Sequence, residues 1–187
     1  PAFAYEVAVI IKAGIKKMYV DKENYFYYIT TTNENYEHPP MIVGAEESII
    51  KGMHKIESAE NPDIRLIGSG AILRESIRAK SILDTYNIKS EVWSVTSFNL
   101  LRKDGMEVER FNQLNPDLDE KISYVEECFD GRSIPVIAST DYMRSYAEQI
   151  RPYIKAKYNV LGTDGYGRSD SREMLRGFFE INASSIV

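Results

Sequence analysis

Apolar residues recur three and four positions apart at Val7, Ile10, Ile11, Gly14, Ile15 and Met18, which predicts an amphipathic helix at the start of the chain. A charged turn follows at Asp21-Lys22-Glu23-Asn24, then an aromatic run that predicts a strand over Tyr25–Thr31. Four consecutive aromatics, Tyr25 to Tyr28, are more than one buried face can use, so one side of that strand is expected to meet a partner domain. Pro39-Pro40 fixes an extended backbone without amide donors and reads as the end of an interdomain linker. The acidic pair Glu46-Glu47 suits a helix N-terminus, and the pattern continues through Ile49, Ile50 and Met53 within 43–60.

Further on, short apolar runs alternate with helical patterns. Ile64–Ile67 predicts a strand, Ala71–Tyr86 a helix with Ile72, Ala79, Leu83 and Tyr86 on one face, and Glu91–Val95 a second strand. Such a βαβ unit is expected to be right-handed. Pro135–Ala138 and Asn159–Leu161 predict two more strands, joined by a helix over Asp141–Tyr153. The polar, Asn-rich stretch Asp104–Phe129, broken by Pro116, reads as short helices and loop covering one sheet edge. Strand and helix alternation places the chain in the α/β class, as a three-layer α/β/α sandwich around a mostly parallel, mixed sheet.

With 187 residues, 43% hydrophobic and 27% charged, the chain can bury one substantial core and still carry a segment of a neighbouring domain. A formal net charge of −5 and the lack of a basic stripe argue against binding to nucleic acid or to anionic membranes. No run reaches about eighteen apolar residues, and Val7–Ile11 lacks signal-peptide flanks. The single cysteine, Cys128, has no partner for an internal disulfide, and no Cys or His cluster has metal-ligand spacing, so a cytoplasmic location is expected. The chain enters a helix directly after Pro1 and stops after the apolar pair Ile186-Val187, so both ends read as cut.

Three local signals invite a chemical reading. Gly68-Ser69-Gly70 lies between a strand and a helix as a dinucleotide fingerprint would, but the third glycine is missing, and no acidic residue ends the second strand to hold a ribose. A tight strand-to-helix turn is the better reading. Gly162-Thr163-Asp164-Gly165-Tyr166-Gly167-Arg168-Ser169 is one substitution from a phosphate-cradling P-loop. However, Arg168 stands where a compact lysine is needed, and Asp164 puts a negative charge into the would-be anion nest. The segment is better read as a turn that caps a helix, with Asp170 and Glu173 at capping-box spacing. Arg168 and Arg172 are then left either to pair with acidic neighbours or to face an interface. His38, beside Asn33–Tyr36, is a possible acid or base but reads better as linker or surface; His54, on a lysine-flanked helix, reads as structural or solvated. Spacing supports no Ser/His/Asp set, no Cys/His pair and no acid dyad.

Taken in order, Asn33-Glu34-Asn35-Tyr36, Ala138-Ser139-Thr140-Asp141-Tyr142 and Gly162 through Ser169 to Asp170-Ser171-Arg172-Glu173 carry a family resemblance along essentially the whole chain. It resembles the C-terminal part of the homodimeric, thiamine-dependent first component of the bacterial pyruvate dehydrogenase complex, a relative of transketolase. The resemblance implies a transketolase C-terminal-domain-like fold, with 1–42 as the tail of the preceding pyrimidine-binding domain plus linker and 43–187 as the C-terminal domain, truncated at its end. Thiamine diphosphate and magnesium would belong to the parent enzyme, bound upstream of this chain, and the family's catalytic histidines also lie upstream. No catalytic, cofactor-binding or metal residue is therefore expected here, and Thr163-Asp164-Gly165 lacks the first glycine of a thiamine motif. Asn33, Glu34, Asn35, Tyr36, Asp164, Arg168, Asp170, Arg172 and Glu173 are implied interface or structural residues. The implied partners are the remaining domains of the polypeptide, a second subunit of the homodimer and the dihydrolipoyl acetyltransferase core. A fragment of a transketolase or another 2-oxoacid dehydrogenase is the enzymatic alternative, and a free-standing, non-catalytic α/β interaction module is the other.

Overall fold

The computed structural model describes residues 1–187. The elements in chain order are α1 (Ala4–Ile15), α2 (Glu46–Lys51), β1 (Met53–Glu57), β2 (Ile64–Gly68), α3 (Leu73–Thr85), β3 (Ser90–Val95), α4 (Phe98–Leu114), α5 (Tyr124–Phe129), β4 (Val136–Ser139), α6 (Arg144–Ala147), β5 (Tyr158–Leu161), α7 (Arg172–Phe178) and α8 (Ala183–Ile186). The strands form one sheet in the order β1-β3-β2-β4-β5, with β1 antiparallel and all other neighbours parallel.

Both faces of the sheet are covered, as near-continuous apolar strands require. The registered row Trp93-Ile67-Ala138-Val160 points into a core built with Met53, Phe98, Leu101, Val125, Phe129 and Ile150, under α4, α5 and α6. The neighbouring pair Val92-Leu66 points the other way, into a smaller core with Leu73, Ala79, Leu83 and Ile186 on α3 and α8. Ala2 and Phe3, at the very start of the chain, complete that second core. The result is the expected three-layer sandwich. β2 connects through α3 to β3 on one side, and β4 lies on its other side, so the connections diverge at the carboxyl ends of β2 and β4. Gly68 makes the turn there possible, since a Cβ would meet the Leu73 Cα at 2.6 Å.

Several sequence expectations are corrected. Tyr25–Thr31 is not a strand: the segment runs in irregular backbone and pairs with no strand of this sheet. The helical reading through Met53 fails because Gly52, at φ +115°, terminates α2 and starts β1. His54 therefore lies on a strand, fully buried, and not on a helix. Asp104–Phe129 does not cover an edge: α4 runs unbroken to Leu114, stops ahead of Pro116, and packs with α5 on a sheet face. The Asp141–Tyr153 helix is reduced to α6 and one 3₁₀ stretch, Glu148–Tyr153, which holds Pro152. In α1 the buried residues are Glu6 and Gly14; of the apolar stripe, Val7, Ile10 and Met18 are half-buried, whereas Ile11 and Ile15 stay 46% and 51% exposed.

Candidate functional site

Asn33, Glu34, Tyr36 and Arg172 of the polar motifs meet at one junction, where the opening segment contacts α3 and α7. Glu34 is its hub. Its carboxylate lies 2.7 Å from Arg176 Nη2, 2.9 Å from Arg74 Nη1 and 3.8 Å from Arg172 Nε. Burial would raise the acid's pKa, but hydrogen bonds from Arg176 and Arg74 outweigh it and hold the carboxyl below its ordinary range. Arg176 also reaches Glu75 Oε1 at 3.3 Å, while Glu75 Oε2 accepts from the Ala183 amide at 3.1 Å, tying α3 to α7 and α8. Arg172 Nη2 donates to Asn33 Oδ1 at 2.7 Å. The Tyr36 ring is sandwiched between Arg74, 4.4 Å from its centroid, and His38, stacked at 4.7 Å, and its hydroxyl donates to the Ala2 carbonyl.

Other motif residues are placed differently. Asp164 accepts from the Arg144 backbone amide at 3.0 Å and from its Nε at 2.6 Å, bracing the glycine-rich loop against α6 and lowering its own pKa. Asn35 and Glu173 are exposed and make no side-chain hydrogen bond. Asp170 is not the helix cap. Ser171 is the N-cap of α7, its Oγ accepting from the Met174 amide, and Asp170 accepts only from the neighbouring Ser171 amide. Arg168 pairs with no acid; its guanidinium lies 4.1 Å over the Phe178 ring. His38 accepts from the Ala4 amide at 3.0 Å through Nδ1, so it serves the junction as a structural acceptor.

Pattern reading missed a second, fully buried contact of the same two segments. Glu6 Oε1 accepts from Ser94 Oγ at 2.6 Å and lies 2.7 Å from His54 Nε2. Its Oε2 accepts from the Ala2 and Phe3 amides at 2.5 and 3.0 Å. Burial pushes this carboxyl upward, yet the hydrogen bonds from His54, Ser94, Phe3 and Ala2 together hold it below the ordinary range. The one available sequence signal was a lone acid near the start of an otherwise apolar helical face.

The glycine-rich loop offers no free carboxylate to thiamine diphosphate with magnesium. Asp164, the carboxylate within the glycine-rich loop, is already engaged by Arg144.

A mixed sheet ordered β1-β3-β2-β4-β5 and sandwiched between helices defines the class. Residues 52–182 match the family model of the transketolase-like TK C-terminal domain, and the chain belongs to that family. Solved transketolases share the fold. The enzyme from Leishmania mexicana aligns with a TM-score of 0.53 at 17% identity over 76% of this chain and 18% of its own. A Pichia stipitis transketolase aligns with a TM-score of 0.53 at 16% identity over 80% and 19%. Residues 1–39 match the model of the pyruvate dehydrogenase E1 component middle domain. The resemblance drawn from the motifs is thereby specified: pyruvate dehydrogenase E1 components from Pseudomonas aeruginosa and Escherichia coli are 54% and 50% identical over 100% of this chain. The chain spans about a fifth of their length, 22% and 21% respectively. Glu6 and Glu34 both belong to the segment matched by the middle-domain model, and both are held by residues of the C-terminal-domain match.

Proposed function

We propose that this chain is the C-terminal scaffolding unit of a pyruvate dehydrogenase E1 polypeptide, with 1–42 the tail of its pyrimidine-binding domain plus linker and 43–187 its C-terminal domain. The parent decarboxylates pyruvate on thiamine diphosphate with magnesium and passes the acetyl unit to a lipoyl group of the acetyltransferase core. This chain supplies none of that chemistry. It packs against the cofactor-binding domains and supports the homodimer. The carrying observation is the junction itself: two buried or half-buried acids of the middle-domain segment, Glu6 and Glu34, are clamped by His54, Ser94, Arg74 and Arg176 of the following domain. Such a clamp fixes the relative placement of two domains and does no proton transfer, because each carboxylate is held in its charged form.

The decisive experiment is calorimetric titration of the chain with thiamine diphosphate in magnesium buffer, alongside addition of the chain to an E1 polypeptide truncated before the segment equivalent to residue 1. The expected results are no saturable heat with the cofactor and a gain in pyruvate decarboxylation by the truncated enzyme. Stoichiometric cofactor binding by the chain alone, or no gain in the truncated enzyme, overturns the reading.

A further inference from the structure

A crevice of about 350 Å³ opens beyond the carboxyl ends of β2, β4 and β5. It occupies the place where the connections of the sheet diverge, which is where open α/β sheets admit ligands. Its volume suits a small metabolite. Ile72 and Leu175 contribute apolar lining. The charges that line it are unevenly committed. Glu34 and Arg176 neutralise each other at 2.7 Å. Arg168 has no acidic partner, and with one ring beneath its plane its in-plane N–H donors stay free. Arg172, which also lines the crevice, uses one nitrogen on Asn33 and stands 3.8 Å from Glu34, so its guanidinium is only partly committed. The remaining carboxyl that lines the crevice is Asp141, so the two arginines must outweigh one carboxylate.

We propose that this crevice binds a small oxyanion, the carboxylate or phosphate group of a metabolite, gripped by the guanidinium groups of Arg168 and Arg172. Planar forks match two oxygens of either group at once, and a crevice walled partly by apolar side chains strengthens that match. The proposal does not depend on the activity assigned to the parent, and its test leaves that activity unread.

The test is a titration of the ¹⁵N-labelled chain at fixed ionic strength with inorganic phosphate and, separately, with succinate, following the amide signals of residues 162–176. Saturable shifts with at least one probe are expected, together with at least tenfold weaker binding in Arg168→Gln and in Arg172→Gln. Lys103→Gln, on α4, should bind as the parent chain does. Saturation by phosphate alone supports a phosphate ester as the ligand, and saturation by succinate alone supports a carboxylate. Circular dichroism on each variant separates lost binding from lost fold. Non-saturating shifts with both probes, the same response to chloride, or undiminished affinity in a folded Arg168→Gln variant overturns the site.

Discussion

Among single residues Glu6 carries the most consequence. It is fully buried, and four donors aim at its two oxygens. Truncation by Glu6→Ala strands those donors in the core, which costs about 3–5 kcal/mol by analogy with breaking a buried pair. The midpoint of chemical denaturation should fall accordingly. The sign of the pH dependence follows from the direction of the shift. Because the folded-state pKa lies below the unfolded one, the carboxylate stabilises the fold at neutral pH, and that contribution is lost as pH falls through the folded value. The stability gap between the parent chain and Glu6→Gln should therefore narrow on acidification from pH 7; a gap that widens would contradict the assignment. Little of this was legible from the sequence, because His54 lies 48 positions and Ser94 88 positions away from Glu6. Glu34 and Arg172 did stand out as motif residues, but only the fold shows that the two motifs hold each other.

At the scale of elements, α4 shows why composition misled. The polar, Asn-containing stretch from Asp104 suggested short helices and loop, yet it continues one helix in which Phe98, Leu101 and Gly105 recur at helical spacing and are the buried residues. Gly105 looks like a helix breaker in sequence. In the fold it admits the ring of Tyr153, whose carbons would lie 2.3–2.5 Å from a Cβ. Gly105→Ala should therefore destabilise the chain by about 1–3 kcal/mol through overpacking, although alanine is the better helix former. A rise in the denaturation midpoint would show that the ring gives way. The amino-terminal cap of α7 can be tested in the same manner. Ser171→Ala removes the bond to the Met174 amide and should cost about 1 kcal/mol. Asp170→Asn should change stability by less than about 0.5 kcal/mol, since it leaves the cap intact. The βαβ core was readable because β2, α3 and β3 keep their periods throughout. The strand β1 was not, because Ile49, Ile50 and Met53 continue a helical spacing across Gly52, and only its left-handed backbone reveals the break.

For the whole molecule the uneven exposure of apolar surface is decisive. The C-terminal domain buries its strands on both faces, whereas the opening segment leaves Tyr19, Val20, Phe26 and Tyr28 exposed at 76%, 68%, 84% and 88%, beside the half-exposed Ile11 and Ile15. An aromatic run with strand composition that finds no sheet edge to pair with has its natural partner elsewhere, in keeping with a middle-domain match confined to 1–39. The isolated chain should therefore bind a dye sensitive to apolar surface and show concentration-dependent association in sedimentation velocity. Replacing Phe26 and Tyr28 together by serine should weaken both signals severalfold. The same double variant should keep stability to within about 0.5 kcal/mol, since neither ring is packed in a core. A monodisperse monomer with negligible dye binding would instead favour a free-standing α/β module, complete in its own surface, over a unit built to be covered by the rest of an E1 polypeptide.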